Sequence, residues 1–352
     1  MSIANDMSLE LRVEYEGADL GDARRTKRLL EMVDAIAKSP DASLPNIFTG
    51  SAALEGSYRL LRNKHVTHEA ILEPHRQQTA ARGRACEMVI AAHDTTEFKF
   101  GKNPRKDLGQ VGKGKSHGFY GHFTLVIAGD SHLPLGVCAL STHRRDGKQA
   151  KNGGKSGHSK RHNDPENEGL RWFRGVEESA KTLSGYGAVV HVMDREADDY
   201  ALLSNMRQDG HRFVIRSCYD RRTSVGSLKL SEVLSKTPQL EGSRTITISK
   251  RGESSMPGQR KRHPPRVKRQ AELVVRATRV VVQRPDSAPR DCLSVTCLHA
   301  EIKRVEPGLY FMRDLGSRNG LKGARARSLR HVGEARSRRT GHSEARNPHQ
   351  AR

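Results

Sequence analysis

The chain has 352 residues, enough for a sizeable core and two or three structural units, and carries 62 Lys and Arg against 40 Asp and Glu, a formal net charge of +22. That excess points to a polyanionic partner, because Lys and Arg that neutralise phosphates release counterions and bind nucleic acid with strong salt dependence. No apolar stretch reaches the length of a membrane span, no charged start leads into a hydrophobic signal core, and the five cysteines show neither Cys-x-x-Cys spacing nor histidines beside the close pair Cys292 and Cys297 to complete a zinc site. The expectation is a reduced cytoplasmic protein.

In chain order, Asp22 is placed to cap a helix with Leu29, Val33, Ile36 and Ala37 on one side. Arg24, Arg25 and Arg28 crowd its first turns, where cations oppose the helix dipole and an external anion would relieve them; an ordinary solvated face is the alternative. A second helix over Ser51–Leu61 sets Tyr58, Arg59 and Arg62 on or near one surface, a combination suited to backbone and sugar contacts. Strands follow at Met88–Ala92, His122–Ala128 and Leu133–Leu140, the last two joined by a turn at Gly129-Asp130-Ser131. A helix over Glu168–Leu183 with the single Trp172 then leads to a strand at Ala188–Met193, a helix at Ala197–Met206 and a strand at Arg212–Arg216.

The stretch from Gly147 to Asn167 is rich in Gly, Lys and His and reads as a mobile loop, and His117, His122, His143, His158 and His162 are assigned to solvated basic loop rather than to a metal cluster. Short strands at Thr245–Ser249, Ala271–Ala277 and Val280–Gln283 are interrupted by a basic run, Arg260 to Arg266. After about Glu301, Arg, Gly and Ser dominate and apolar residues lose helical or strand spacing.

Two apolar runs end in aspartate. Val189-Val190-His191-Val192-Met193 stops at Asp194, and Val89-Ile90-Ala91-Ala92-His93 stops at Asp94 with Thr95 and Thr96 behind it. Side by side, such strands would bring Asp94 and Asp194 together as half of an oxygen-ligand site for a divalent cation in phosphoryl transfer; equally, each aspartate could simply cap a helix.

The Asp-Arg-Glu-Ala-Asp run at 194 to 198 and the Asp-Thr-Thr at 94 to 96 resemble two motifs of bacterial cut-and-paste DDE transposases of the insertion-sequence-four family, transposon-five-like. Leu20 to Leu29 and Glu55 to Asn63 are similar to that family's transposon-end-binding domain, so the four motifs stand in family order between about residues 15 and 300. The resemblance implies a helical DNA-binding domain (residues 1–80) that contacts double-stranded transposon ends through Arg24, Arg25, Arg28, Tyr58, Arg59, Arg62 and Asn63. It implies an α/β ribonuclease-H-like core (81–220) with Asp94 and Asp194 as catalytic and metal-binding residues for Mg²⁺ or Mn²⁺ in a two-metal site. It also implies a β-rich insertion (221–300), Arg216 near the DNA end, and dimerisation on DNA, in a bacterial protein of the cytoplasm and nucleoid.

The departure lies at the third acid. In the family pattern Tyr-x-x-Arg-x-x-x-Glu-x-x-x-x-x-x-Lys, Tyr310 and Arg313 repeat the first two letters, but Ser317 stands in place of the glutamate and Ala324 in place of the lysine; Glu334 lies between Gly333 and an arginine-rich run. The expectation is a core incomplete at its C-terminal end, a basic non-family tail over 301–352 in place of the dimerisation region, and an inactive DNA-binding remnant. The alternatives are an active Mg²⁺-dependent nuclease in which Glu334, Glu196 or Asp198 completes the site, and a basic protein that binds nucleic acid without sequence preference.

Overall fold

A computed structural model describes residues 11–101, 107–112, 116–145, 168–186, 188–242, 244–253, 265–286, 288, 295–304 and 309–313. The stretch Gly147–Asn167 lies outside these residues, as do most of the basic run at 260–266, His158, His162, Ser317, Ala324 and Glu334.

After a helical stretch over residues 11–15 come four helices: α1 (Ala23–Lys38), α2 (Leu44–Ile47), α3 (Ser51–Leu61) and α4 (His68–Arg84). Asp22 caps α1 as its position requires, accepting from the Arg24 amide at 2.9 Å. Leu29, Met32 and Leu60 form a small core with Leu20, and Val33, Leu44, Phe48 and Ile71 pack around it. The buried stripe of α1 is centred nearer Met32 than the apolar spacing suggests, which leaves Ile36 at its margin, 41% exposed.

These helices are fastened to the rest by Glu14. Its carboxylate receives two hydrogen bonds from Arg82 (2.7 and 2.9 Å) and lies 2.5 Å from His75, while Arg82 Nε donates to the Leu135 carbonyl and the Val137 amide donates to His75 Nε2. Burial alone would raise the Glu14 pKa, but the hydrogen bonds and charge of Arg82, with His75 beside it, hold it below the ordinary value.

The remainder is one sheet with helices packed on it. Its strands are β1 (Val89–Lys99), β2 (Gly109–Gln110), β3 (His117–Ala128), β4 (Pro134–His143), β5 (Val189–Met193), β6 (Arg212–Arg216), β7 (Arg244–Ile248), β8 (Arg269–Val282), β9 (Val295–Arg304) and β10 (Leu309–Arg313). The order is β2-β3-β1-β5-β6-β10-β9-β8-β7, with β4 also on β3; β1 with β5 and β5 with β6 are parallel and every other pair is antiparallel. The helices α5 (Arg171–Thr182), α6 (Tyr200–Gln208) and α7 (Leu230–Lys236) complete the described elements. Trp172 and Val176 of α5, Leu203 and Met206 of α6, and Leu230 and Leu234 of α7 share a core with Met193, Phe213, Ile215, Val280 and Val282. Each large side chain fully buried there stabilises the fold by about 1.5–3 kcal/mol.

Several expected boundaries move, each for a reason in the pairing. β1 runs seven residues beyond Ala92 because β3 stays paired with it as far as Lys99↔Gly118, so Asp94 lies within a strand rather than at its end. The two strands expected at Ala271–Ala277 and Val280–Gln283 are one, because Thr278 and Arg279 continue the ladder to His299 and Leu298 of β9. The helix expected from Ala197 begins at Tyr200, since Asp199 caps it by accepting from the amides of Ala201 and Leu202. The change of character placed at residue 301 does not end the sheet: β9 continues to Arg304, and β10 inserts between β6 and β9. Tyr310 and Arg313 therefore sit on a strand and not on a helix, and the strands of 221–300 extend the core sheet instead of standing apart from it.

Asp198, 2% exposed, locks the turn after β5 to the segment after β6. It accepts from Arg221 Nη1 (2.5 Å), from the amides of Cys218 (2.6 Å) and Tyr219 (3.0 Å), and from the Ser217 hydroxyl (3.3 Å). Asp198→Ala strands the Arg221 charge in a largely buried position, and we expect a loss of about 3–5 kcal/mol in urea unfolding at pH 7. A loss under about 1 kcal/mol would show that water reaches Arg221 readily.

Candidate functional site

The parallel register of β1 and β5 runs from Val89↔Val189 to Ala92↔Val192. Two residues further along stand Asp94, within β1, and Asp194, the residue that follows β5. Because side chains alternate along a strand, both lie on the face opposite His93 and the register partners Ala91 and His191. Both aspartates are exposed. One oxygen of each is tied by a nearby amide: Asp94 Oδ1 accepts from the Thr95 N–H at 2.8 Å, and Asp194 Oδ1 from the Glu196 N–H at 2.8 Å. The second oxygen of each has no partner among the described residues. Two carboxylates on adjoining strands, each oriented and each with an oxygen to spare, fit a hard divalent cation.

Among the described residues a third acid does not join them. Asp198 is sealed in its pocket by Arg221, and Glu196 Oε2 accepts from Arg171 Nη2 at 2.9 Å. Among the described residues no group of three or more His, Cys, Asp or Glu is arranged to hold a metal ion.

Beneath the carboxylates, on the α5 side of the sheet, lies a layer of buried histidines. His93 Nε2 and His191 Nδ1 share a hydrogen bond of 2.9 Å, and the Thr124 hydroxyl reaches His93 Nδ1 at 3.0 Å. His122 stacks on His93 with ring centroids 5.8 Å apart and meets Trp172 edge-on at 4.8 Å, while His211 meets His191 edge-on at 5.3 Å. Gly175 of α5 makes room for them, since a Cβ there would come within 2.9 Å of His122 Nε2. Burial holds all three inner histidines neutral: His191 is pushed down to about 3, His122 to about 4 with Arg171 adding to the effect, and His93 falls well below its ordinary value, helped by its two histidine neighbours.

The assignment of His122 to a solvated loop is therefore corrected. His122 is buried within β3, His117 begins the same strand and His143 ends β4. Period-two alternation was the available signal, since His93 follows Val89 and Ala91 in the half of β1 where odd positions are buried.

In the N-terminal helices the suggested DNA-contacting residues separate into two sets. Arg24 (92% exposed, paired with Asp22), Arg59 (paired with Glu55) and Arg62, whose guanidinium lies 5.9 Å from the Tyr58 ring centre, stand at the surface. Arg25 and Arg28 turn inward: Arg25 donates to the Leu20 carbonyl, and Arg28 pairs with Glu31 in the space left by Gly56, whose absent Cβ would lie 3.0 Å from the Arg28 guanidinium carbon. Both of these cations have partners within the helical unit. Asn63 accepts from the His65 amide and shapes the turn after α3. Arg216 ends β6 exposed, and β10 pairs with that strand, so β6 does not lie at the edge of the sheet.

Residues 11–66 match the family model described as transposase DNA-binding. The matched segment spans α1 to α3 and contains every suggested DNA-contacting residue except Arg216. Among solved structures, a cryo-EM structure of the piggyBac transposase synaptic complex with hairpin DNA is similar at 10% identity and a TM-score of 0.34; the alignment covers 93% of this chain and 63% of that one, so this chain spans less than two thirds of it.

The histidine layer gives stability a defined pH dependence. Its folded pKa values lie below the unfolded value of 6.5, so the unfolded chain binds protons that the folded chain refuses; the contribution is complete above about 6.5 and is lost as pH falls toward the folded values. Between pH 7.5 and 5, urea unfolding is expected to lose about 2 kcal/mol for each histidine that remains neutral. A flat profile over that range would mean that the layer takes up protons while folded.

Proposed function

We propose that this protein is a transposase of the insertion-sequence-four type that binds double-stranded transposon ends and carries two thirds of a DDE site. The observation that carries the reading is the transposase DNA-binding match over residues 11–66. In this reading the exposed cations of α1 and α3, Arg24, Arg59 and Arg62, neutralise phosphates, with Tyr58 against the sugar-phosphate backbone and Asn63 holding the adjoining turn. Arg25 and Arg28 act indirectly, by fixing how the two helices meet.

The order β4-β3-β1-β5-β6, antiparallel on one side and parallel on the other, fits a ribonuclease-H-like core whose first and fourth strands carry the acids. Asp94 and Asp194 would hold Mg²⁺ or Mn²⁺, which when bound would activate the attacking oxygen and stabilise the leaving one. The protein's own part is to present two carboxylate oxygens at one level on adjoining strands and to keep Arg216 near the DNA end. With Glu196 and Asp198 committed elsewhere, no third carboxylate stands with them among the described residues, and a two-metal displacement lacks a ligand for its second ion. In this reading the protein binds transposon ends without cutting them, and pairing of two subunits on DNA is not needed for that.

The test combines a binding and a cleavage assay. A duplex transposon end should bind more tightly than an unrelated duplex, and Arg59→Ala or Arg62→Ala should each weaken binding and reduce the slope of log K against log salt by about 1. Supercoiled and end-bearing DNA should remain uncut in Mg²⁺ or Mn²⁺. Nicking that disappears in Asp94→Ala and Asp194→Ala would instead establish an active enzyme, and equal affinity for all duplexes would leave a basic protein without sequence preference.

A further inference from the structure

The pairing between β1 and β5 ends at Ala92↔Val192, two residues short of the carboxylates, so the backbone ladder does not set the spacing of Asp94 and Asp194. The side chain that spans this gap is Arg171. It is the first residue of α5, its side chain is 14% exposed, and each of its three nitrogens meets a different segment. Nε donates to the Thr95 hydroxyl at 3.1 Å, Nη2 to Glu196 Oε2 at 2.9 Å, and Nη1 to the Glu168 carbonyl at 2.8 Å. Glu168 is itself held by a bidentate pair with Arg145, at 2.7 and 2.8 Å.

The two residues gripped by Arg171, Thr95 within β1 and Glu196 just beyond β5, are the same two whose amides orient the carboxylates. The Thr95 N–H holds Asp94 while the Thr95 hydroxyl is held by Arg171; the Glu196 N–H holds Asp194 while the Glu196 carboxylate is held by Arg171. The Thr95 hydroxyl, accepting from Arg171, also shares a hydrogen bond with His122 Nδ1, 2.9 Å away, which ties the clamp to the buried histidine layer. A planar guanidinium with donors in a fixed fork can span two such acceptors rigidly, whereas a lysine ammonium, a point charge on a flexible stem, cannot reproduce the geometry.

We infer that Arg171 is a positioning residue that sets the relative placement of Asp94 and Asp194 for a divalent cation, acting through Thr95 on one strand and Glu196 beyond the other. The inference rests on the reading of Asp94 and Asp194 as a cation site. It assigns α5, which otherwise packs beneath the sheet, a role in the geometry on the sheet's opposite face.

The test is Mn²⁺ affinity, followed by electron paramagnetic resonance on the full chain and competed with Mg²⁺. Asp94→Asn and Asp194→Asn establish whether the carboxylates bind the ion at all. Arg171→Lys, Arg171→Gln and Thr95→Val should each weaken Mn²⁺ binding about tenfold, the scale on which residues behind metal ligands act. The double variant Thr95→Val/Arg171→Gln should be no weaker than Arg171→Gln alone, because that substitution already removes the link to Thr95. Arg82→Ala, which loosens the distant Glu14 anchor, serves as a destabilised control and should leave Mn²⁺ affinity unchanged.

Unchanged affinity in Arg171→Gln, with binding lost in the aspartate variants, would overturn the inference and leave the carboxylate site standing. Wild-type affinity in both aspartate variants, or no binding by the wild type, would remove the carboxylate site and the inference with it. Should Arg171→Gln fail to fold, Thr95→Val decides alone: it is nearly isosteric and deletes only the hydroxyl link, and wild-type affinity in that variant overturns the inference.

Discussion

The parallel pairing of β1 with β5 is the contact on which the rest of this protein turns. It joins an antiparallel half of the sheet (β4, β3, β1) to a half that begins parallel (β5, β6) and continues through β10, β9, β8 and β7. It also aligns two aspartates a hundred residues apart in the chain. A shift of one residue in that register would send one carboxylate to the helix-covered face among the histidines, where burying an unpaired charge is heavily disfavoured. Register, the face on which each carboxylate stands and core burial are therefore one constraint, enforced by Val89, Ala91 and His93 pointing into the core on one strand and His191 and Met193 on the other.

Polar groups shape the centre of the core as much as apolar ones. Three neutral histidines with Thr124, Thr95 and the edge of Trp172 form a layer whose hydrogen bonds specify ring positions that packing alone would leave open. Gly175 is required there because the rings occupy the volume a side chain would need. Above this layer Arg171 continues the polar network to the strand ends, and to one side Asp198 and Arg221 secure the turn that carries Asp194. Acids that look interchangeable in the motif Asp-Arg-Glu-Ala-Asp thus have three different fates: Asp194 is exposed with one oxygen to spare, Glu196 is bound to an arginine, and Asp198 is buried in a lock.

The helical unit at the N-terminus shows the same division between cations that hold structure and cations that face outward. Arg25 and Arg28 are consumed by a carbonyl, a glutamate and the space over Gly56, whereas Arg24, Arg59 and Arg62 project from the surface. The ion pairs of Arg24 and Arg59 are exposed, so they offer little resistance to exchange for a phosphate. Glu14, gripped by Arg82 and His75, anchors this unit to β4.

The sequence by itself determined the elements whose signals are local: the Asp22 cap and its helix, α3 over Ser51–Leu61, the Gly129 to Ser131 turn, β6 at Arg212–Arg216, and the two apolar runs that carry Asp94 and Asp194. Periodicity and capping act within a few residues, so they are legible without the fold. What only the tertiary structure decided depended on partners far away in the chain. β1 extends to Lys99 because β3 accompanies it; Thr278 and Arg279 remain in a strand because β9 pairs with them; β10 exists between β6 and β9 although its surroundings in sequence are rich in arginine and glycine. The burial of His122, the inward turn of Arg28 and the clamp of Arg171 on Thr95 and Glu196 belong to the same class. A charged or titratable side chain carries no local signal of whether it will meet water or a partner, because that is settled by residues 25 to 100 positions away that only folding brings within reach.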